Sequence, residues 1–289
     1  MANTHPTALL HSAFYRFTPL LDPVAAAAML RRLAQGLTGS IVVAAEGISG
    51  TLAGPAALLD DVENALQQDN VLAGVLRGMV FKHSGCSWAP FGRLKVSVKP
   101  EIVALGLPVD ASTGQRQLPD EDDTSHLAPA AWLDLLQSGT AVLLDNRNHF
   151  EFRLGHFCGA VDPMVHNFRD FVAYVQANAP AWRAAGRPVA MYCTGGIRCD
   201  KSAPWMRSLG LQVWQLQGGI LNYLQHKPTA TGASADDAWL GDCFVFDKRI
   251  ALDAALHQAC VTAEQVFDAD LPDEAWRLQR ARRLDGAAG

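Results

Sequence analysis

Residues 189–206 read VAMYCTGGIRCDKSAPWM: an apolar run, a cysteine, two adjacent glycines, an arginine, a second cysteine and then a helix-like segment. A strand that feeds a helix in this way is the repeating unit of a parallel sheet, and such sheets bind ligands beyond the carboxyl ends of their strands. Cys193 stands at that place. Thr194, Gly195, Gly196 and Ile197 can curl so that consecutive backbone N–H groups point inward, because glycine tolerates the dihedrals this needs. A nest of that kind, next to a helix N-terminus and Arg198, favours an anionic sulfur. The pattern points to a reactive thiolate or persulfide at Cys193, against the alternative of a packed structural cysteine beside a glycine turn. Cys199 keeps two readings: a resolving thiol for Cys193, or a packed residue of the first helical turn.

Outward from this loop, strands and helices alternate. PAAWLDLLQSG (129–139) is helix-like, AVLLDNR (141–147) a buried strand, NFRDFVAYVQAN (167–178) a helix and PVAMYC (188–193) a second buried strand. DKSAPWMRSLG (200–210) is again helical, QVWQLQ (212–217) a strand and GGILNYLQ (218–225) a helix. Strands that are continuous apolar runs, separated by helices, predict an α/β domain whose parallel sheet is flanked by helices on both faces. The first third reads differently. AFYRF is strand-like, Asp22 and Pro23 open a helix as N-cap and first helical residue, SIVVAA and GTLAG are strands around a turn from Glu46 to Ser49, GPAALLDDVENALQQ is a helix, and MVFKHS and RLKVSVKPEIV follow. That order predicts a small α+β domain of ferredoxin-like type. The expected boundaries are 1–105 for this domain, 106–126 for a polar, Gly- and Pro-containing linker, 127–228 for the α/β domain and 229–289 for a C-terminal extension with one strand candidate, CFVFD, and an arginine-rich helix.

A chain of 289 residues exceeds what one core usually organises. With 49% hydrophobic and 18% charged residues and a net charge of -5, it has no global attraction for nucleic acid, so any RNA contact is local. The opening residues lack the pattern of a secretory signal, and no apolar run approaches the roughly 18 residues a membrane helix needs, so a cytoplasmic protein with no membrane partner is expected. Six cysteines at irregular spacing, with no Cys-x-x-Cys pair, form neither a disulfide framework nor a zinc motif.

Lys82, Arg93, Lys95 and Lys99 bracket SGCSWAPFG, where Trp88 and Phe91 lie between basic side chains; the group reads either as an RNA-gripping patch or as a solvated strand edge over two core aromatics. Arg277, Arg280, Arg282 and Arg283 likewise read as a solvated helix face or a tRNA backbone contact. Asp145 and Arg147 end a strand, where they serve catalysis or form a structural ion pair. His149, His156 and His166 have no partner at metal spacing, His156 being expected to fix the turn after FRLG, and Glu46 and Ser49 read as turn formers.

Cys-x-x-x-x-Arg at the end of a strand resembles the rhodanese active-site loop, and LLDNRNHFEFRLGHFCGAVD (143–162) resembles the rhodanese signature that contains Asp145, Arg147, Glu151, Gly155-His156 and Gly159-Ala160. Related dual-specificity phosphatases place five residues between cysteine and arginine to admit phosphate; four stand here, which suits sulfur. The further stretches VAAEGISGTLAG, PFGRLKVSVKPEIVALG, YCTGGIRCDK, QLQGGILNYL and GDCFVFDKR are similar to the bacterial tRNA uridine hydroxylases of rhodanese type, over about residues 10 to 255. That resemblance implies a small domain in front of a rhodanese domain, hydroxylation at carbon 5 of the wobble uridine, the tRNA anticodon region as partner, molecular oxygen as co-substrate with no other cofactor evident, and Cys193 as the essential cysteine. Many members carry paired cysteines near the C-terminus; this chain has Cys243, His257 and Cys260, short of the four ligands a zinc site takes, so no metal is expected. Two other functions compete. One is a sulfurtransferase passing sulfane sulfur from thiosulfate through a Cys193 persulfide, against which Arg198 is the single cation of the loop. The other is a non-catalytic rhodanese-like binding module, a type that often lacks the cysteine.

Overall fold

The structure, a computed structural model, describes residues 9–68, 72–86, 88–108, 119, 124–227 and 238–286. The chain divides into two compact units, one ending at Ala104 and one beginning at Leu105. Most of the expected linker and the first residues of the C-terminal extension lie outside the described residues.

In the first unit, β1 (Leu9–Phe17), α1 (Pro23–Leu33), β2 (Thr38–Ala44), β3 (Gly47–Pro55), α2 (Ala56–Gln68), β4 (Phe81–Cys86) and β5 (Leu94–Val98) form a five-stranded sheet in the order β4-β1-β3-β2-β5. The first four strands have the ferredoxin-like arrangement, and β5 adds to its edge parallel to β2. Asp22 caps α1 by accepting from the N–H groups of Val24 at 3.0 Å and Ala25 at 2.9 Å, with Pro23 at the first helical position. Apolar residues recur on one face of each helix and each strand, so Phe14, Ile41, Val43, Ile48, Leu52 and Val96 meet Leu30, Leu59 and Val62 in one core. The turn after β2 is shorter than the sequence implies. It holds only Ala45 and Glu46, while Ile48 and Ser49 already belong to β3. Glu46 is more than a turn former: its buried carboxylate accepts from the Ile102 N–H at 2.9 Å and ties down the segment after β5.

The second unit places β6 (His126–Leu127), β7 (Val142–Asp145), β9 (Val189–Tyr192) and β10 (Val213–Leu216) in a parallel sheet of order β6-β10-β9-β7. Its helices are α3 (Pro129–Ser138), α4 (His149–Leu154), α5 (Phe171–Ala184), α6 (Ile197–Ser208) and α7 (Gly219–Gln225), with β8 (Gly155–Phe157) between α4 and α5. His126 therefore joins the sheet rather than the linker, its ring 2.8 Å from Asp200 on α6. Helix α6 begins at Ile197, three residues before the apparent sequence start, because the turn out of β9 is complete at Gly196, whose φ is 101°. The extension carries more strand than CFVFD suggests. β11 (Trp239–Gly241) pairs antiparallel with β8, and β12 (Cys243–Phe244) pairs with β13 (Ala251–Leu252), before α8 (Ala263–Val266) and α9 (Pro272–Gly286). Among the described residues no helix is long and apolar enough to cross a membrane.

Two hydrogen bonds connect this fold to the cysteine loop. The N–H groups of Ile220 and Leu221, in the first turn of α7, donate to the carbonyls of Cys193 and Thr194 at 3.0 and 3.1 Å. Gly218 and Gly219 make this approach possible by holding φ values of 69° and 72°. A Cβ on Gly219 would stand 2.5 Å from the Cys193 carbonyl oxygen and 2.6 Å from that of Thr194. Gly219→Ala is expected to cost at least about 2 kcal/mol from backbone strain alone, seen as a fall of about 4 °C or more in thermal midpoint. An unchanged midpoint would show that α7 does not brace the loop.

Candidate active site

Cys193 follows β9 and is fully buried, at 0% exposure. Gly196, with φ of 101°, turns the chain so that its N–H donates to the Cys193 sulfur at 3.1 Å. The backbone N–H groups of Arg198 and Cys199, at the start of α6, donate to the same sulfur, and so does the Cys199 thiol. Burial alone would raise the Cys193 pKa. The hydrogen bond from Cys199, the charge of Arg198 and the two backbone donors overcome it and bring the thiol down to about 5. Cys193 is a thiolate at neutral pH. Cys199 moves the opposite way: burial and the adjacent Cys193 thiolate push its pKa well above the ordinary range, so it stays protonated.

The Arg198 side chain acts on the sulfur through its charge. Both of its terminal nitrogens donate to Glu151, each at 2.7 Å, rather than to the sulfur. Glu151 is fully buried on α4, where its Oε1 also caps the helix by accepting from the Asn148 N–H at 3.3 Å, and its Oε2 accepts from the Thr194 hydroxyl at 3.5 Å. One carboxylate thus holds the arginine, the loop and the start of α4. Burial would raise the Glu151 pKa, but the guanidinium beside it holds it below the usual range. Glu151 was visible in the sequence only as part of the rhodanese signature; its position three residues after Asn148, the capping-box spacing, was the local signal.

Asp145 and Arg147 form a second buried pair, with Arg147 Nη2 2.7 Å from Asp145 and 2.5 Å from the Gly155 carbonyl. The Arg147 guanidinium lies between the rings of Tyr192 and Trp239, 5.6 and 5.5 Å from their centroids. The pair ties the end of β7 to the β8 backbone. Asn146, between its two members, donates through Nδ2 to Ser202 at 2.9 Å and more weakly to Cys199 at 3.8 Å. Gly195 and Ile197 complete the loop, with open space where a Gly195 side chain would stand.

On the outer side, the Phe246 ring is 64% exposed and lies 5.8 Å from the Arg198 guanidinium. Arg277 packs on Phe150 and on Trp276, itself 45% exposed, and donates to the His166 carbonyl at 3.2 Å. These aromatics were missed in the sequence because no spacing marks them. Arg280, Arg282 and Arg283 are exposed, with Arg282 paired to Glu264. His149 pairs with Asp162 at 2.6 Å, and His156 hydrogen-bonds the Phe152 carbonyl at 2.9 Å while stacking on its ring. Cys243 is buried and pushed up to about 12, Cys260 is exposed, and among the described residues no three histidine, cysteine or acidic side chains converge as a metal site.

In the first unit the four basic residues do not form one patch. Lys82 lies on β4, whereas Arg93, Lys95 and Lys99 lie on or beside β5 at the opposite edge of the sheet. Strand register nevertheless places Lys82, Ala13, Thr51, Ser40 and Lys95 in one row across the sheet. The row faces away from the helices, since Phe14 and Ile41, one residue on, belong to the core.

The sequence matches the UPF0176 acylphosphatase like domain over residues 10–102 and the Rhodanese-like domain over 128–226. It is 42% identical to a Jannaschia sp. protein named tRNA uridine(34) hydroxylase, across 89% of this chain and 78% of that one. The chain belongs to the tRNA uridine(34) hydroxylase family. A Deinococcus radiodurans relative of the same name is 40% identical across 89% of this chain and 81% of its own. Among solved structures, the rhodanese-like domain of an Anabaena sp. protein is similar at 18% identity, covering 41% of this chain and 80% of that one with a TM-score of 0.32. The family resemblance read from the loop and its flanking motifs therefore stands.

Thiolate ultraviolet absorbance, taken as the difference between the wild type and Cys193→Ser, should titrate with a midpoint near pH 5. A midpoint near the ordinary cysteine value of about 8.5 would refute the nest. Because the folded pKa is depressed, the thiolate's contribution to stability is full above the unfolded value and is lost as pH falls through about 5. Glu151→Gln leaves Arg198 buried and unpaired, so stability should drop by about 3 to 5 kcal/mol in denaturant unfolding, while the less neutralised arginine moves the Cys193 midpoint further down.

Proposed function

We propose that the chain is an oxygen-dependent tRNA hydroxylase that converts the wobble uridine of the anticodon to 5-hydroxyuridine, with Cys193 as the reacting group. Kinship over 89% of the chain with relatives named tRNA uridine(34) hydroxylase carries the reading. The site supports it chemically. Its two buried arginines are already paired, so it suits a neutral pyrimidine better than an anion, and the exposed Phe246 ring beside Arg198 offers a stacking face for a base. Molecular oxygen is the co-substrate in this reading, and the cytoplasm, where tRNA is found, is the place of action. The sulfurtransferase alternative is not favoured, because thiosulfate is a dianion and Arg198 is already bound by Glu151 through both terminal nitrogens.

The sheet row of the first unit is the surface we assign to the RNA backbone. Lys82 and Lys95 stand at its ends, four strand spacings or about 19 Å apart, with the small side chains of Ala13, Thr51 and Ser40 between them. Tyr15 supports Lys82, whose ammonium lies 5.6 Å from its ring. Arg93, Lys95 and Lys99 extend the positive edge.

Nucleosides of tRNA from cells carrying Cys193→Ser in place of the wild type should lack 5-hydroxyuridine and its derivatives by mass spectrometry; full retention would sink the reading. Replacing Lys82 and Lys95 by alanine should weaken tRNA binding and flatten the dependence of log affinity on log salt by about 0.7 per lysine. An unchanged salt slope would remove the sheet face from the RNA contact.

A further inference from the structure

Cys199 has no place in the hydroxylation reading so far, yet its thiol is the first of the groups that stabilise the Cys193 thiolate. Cys193 follows β9 and Cys199 lies in the first turn of α6, with only Thr194, Gly195 and Gly196 between Cys193 and the helix. The Cys193 sulfur accepts from the Gly196 N–H at 3.1 Å, one residue before α6, and Cys199 in the first turn of that helix acts on the same sulfur through its thiol and its backbone N–H. Both are buried, and Asn146 contacts Cys199 from the far side at 3.8 Å. The buried Cys243, by contrast, directs its thiol to the Phe244 carbonyl.

We propose that Cys193 and Cys199 act as a dithiol that supplies the two electrons of each hydroxylation and ends the reaction as a disulfide. This rests on the hydroxylation reading above. Placing one atom of molecular oxygen at C5 of uridine takes two electrons from the C–H bond, whereas reducing both oxygen atoms takes four; two thiols supply the difference. In the overall change, the uridine C5–H, O2 and two thiols become the C5–OH, one water and one disulfide. The O–O bond, the C–H bond and the Cys199 S–H bond break, the C–O and S–S bonds form, and the water takes up the Cys199 proton together with one from solvent, since Cys193 reacts as the thiolate. A thiolate touching a protonated thiol is the arrangement from which disulfides close and reopen by exchange. Closure brings the two sulfurs to the disulfide length of about 2.05 Å. An external dithiol then restores the pair for the next turnover.

The test is a single turnover of the full chain, reduced and then freed of reductant, mixed aerobically with tRNA that lacks the modification. The wild type should form at most one 5-hydroxyuridine per chain and stop, until a dithiol is added. Trypsin cuts after Arg198, so the oxidised chain should yield two peptides joined between Cys193 and Cys199 that separate on reduction, in step with product. Cys199→Ser keeps a hydrogen-bond donor to the thiolate but removes the redox partner. It should retain the Cys193 absorbance signal and lose on the order of a hundredfold in product formation, as expected for a group that reacts directly. Cys199→Ser with wild-type yield, or wild-type product formed with both thiols still free, overturns the dithiol and leaves the hydroxylation reading standing. Full activity of Cys193→Ser, or no product from the wild type with dithiol and oxygen present, sinks that reading and this inference with it.

Discussion

The buried pair between Glu151 and Arg198 is the interaction on which the site depends. A carboxylate and a guanidinium removed from water each lose hydration that only close mutual pairing restores, and here two bonds of 2.7 Å supply it. The pair joins two parts of the second unit distant in sequence. Glu151 lies at the start of α4, after β7, and Arg198 at the start of α6, after β9. Since β7 and β9 are neighbours in the sheet, the pair locks their two carboxyl ends together and fixes the loop that carries Cys193. Thr194 adds its hydroxyl to the same carboxylate, so the conformation of the loop and the neutralisation of the arginine are one constraint.

Much of this was legible in the sequence because local chemistry and global fold agree. The apolar runs ending at Asp145 and Cys193 are adjacent parallel strands, and the two halves of the chain have the α+β and α/β character their patterning implies. Asp22 and Pro23 start α1 as their types dictate. The structure adds most where the deciding partner lies far away in sequence. The charge of Arg198 favours the anionic sulfur as its place in the loop implies, but its terminal nitrogens are held by Glu151, 47 residues earlier. Lys82 and Lys95 look like one patch because 13 residues separate them, but β4 and β5 are opposite edges of one sheet. His126, in a polar stretch with linker composition, becomes a strand residue because β10 offers it an edge. Phe246 and Trp276 carry no sequence signal at all, since exposure is decided by what packs around them.

The charge balance of the second unit bears on what the site can accept. Arg147 and Arg198 are paired with Asp145 and Glu151, so the Cys193 thiolate is a further buried negative charge beyond these two ion pairs. The remaining charge is met by dipoles: the N–H groups of Gly196, Arg198 and Cys199, and the thiol of Cys199. Dipoles can stabilise a charge already in place, but they leave no net attraction for a second anion. A phosphate or thiosulfate brought to this sulfur would meet a thiolate whose neighbouring arginines are already paired, whereas uracil, being neutral, meets no such penalty. The same balance explains why an RNA substrate needs positive charge elsewhere. The paired arginines leave the sulfur no grip on a phosphate backbone, and a chain with net charge -5 gives no general attraction, so contact with RNA depends on local basic groups.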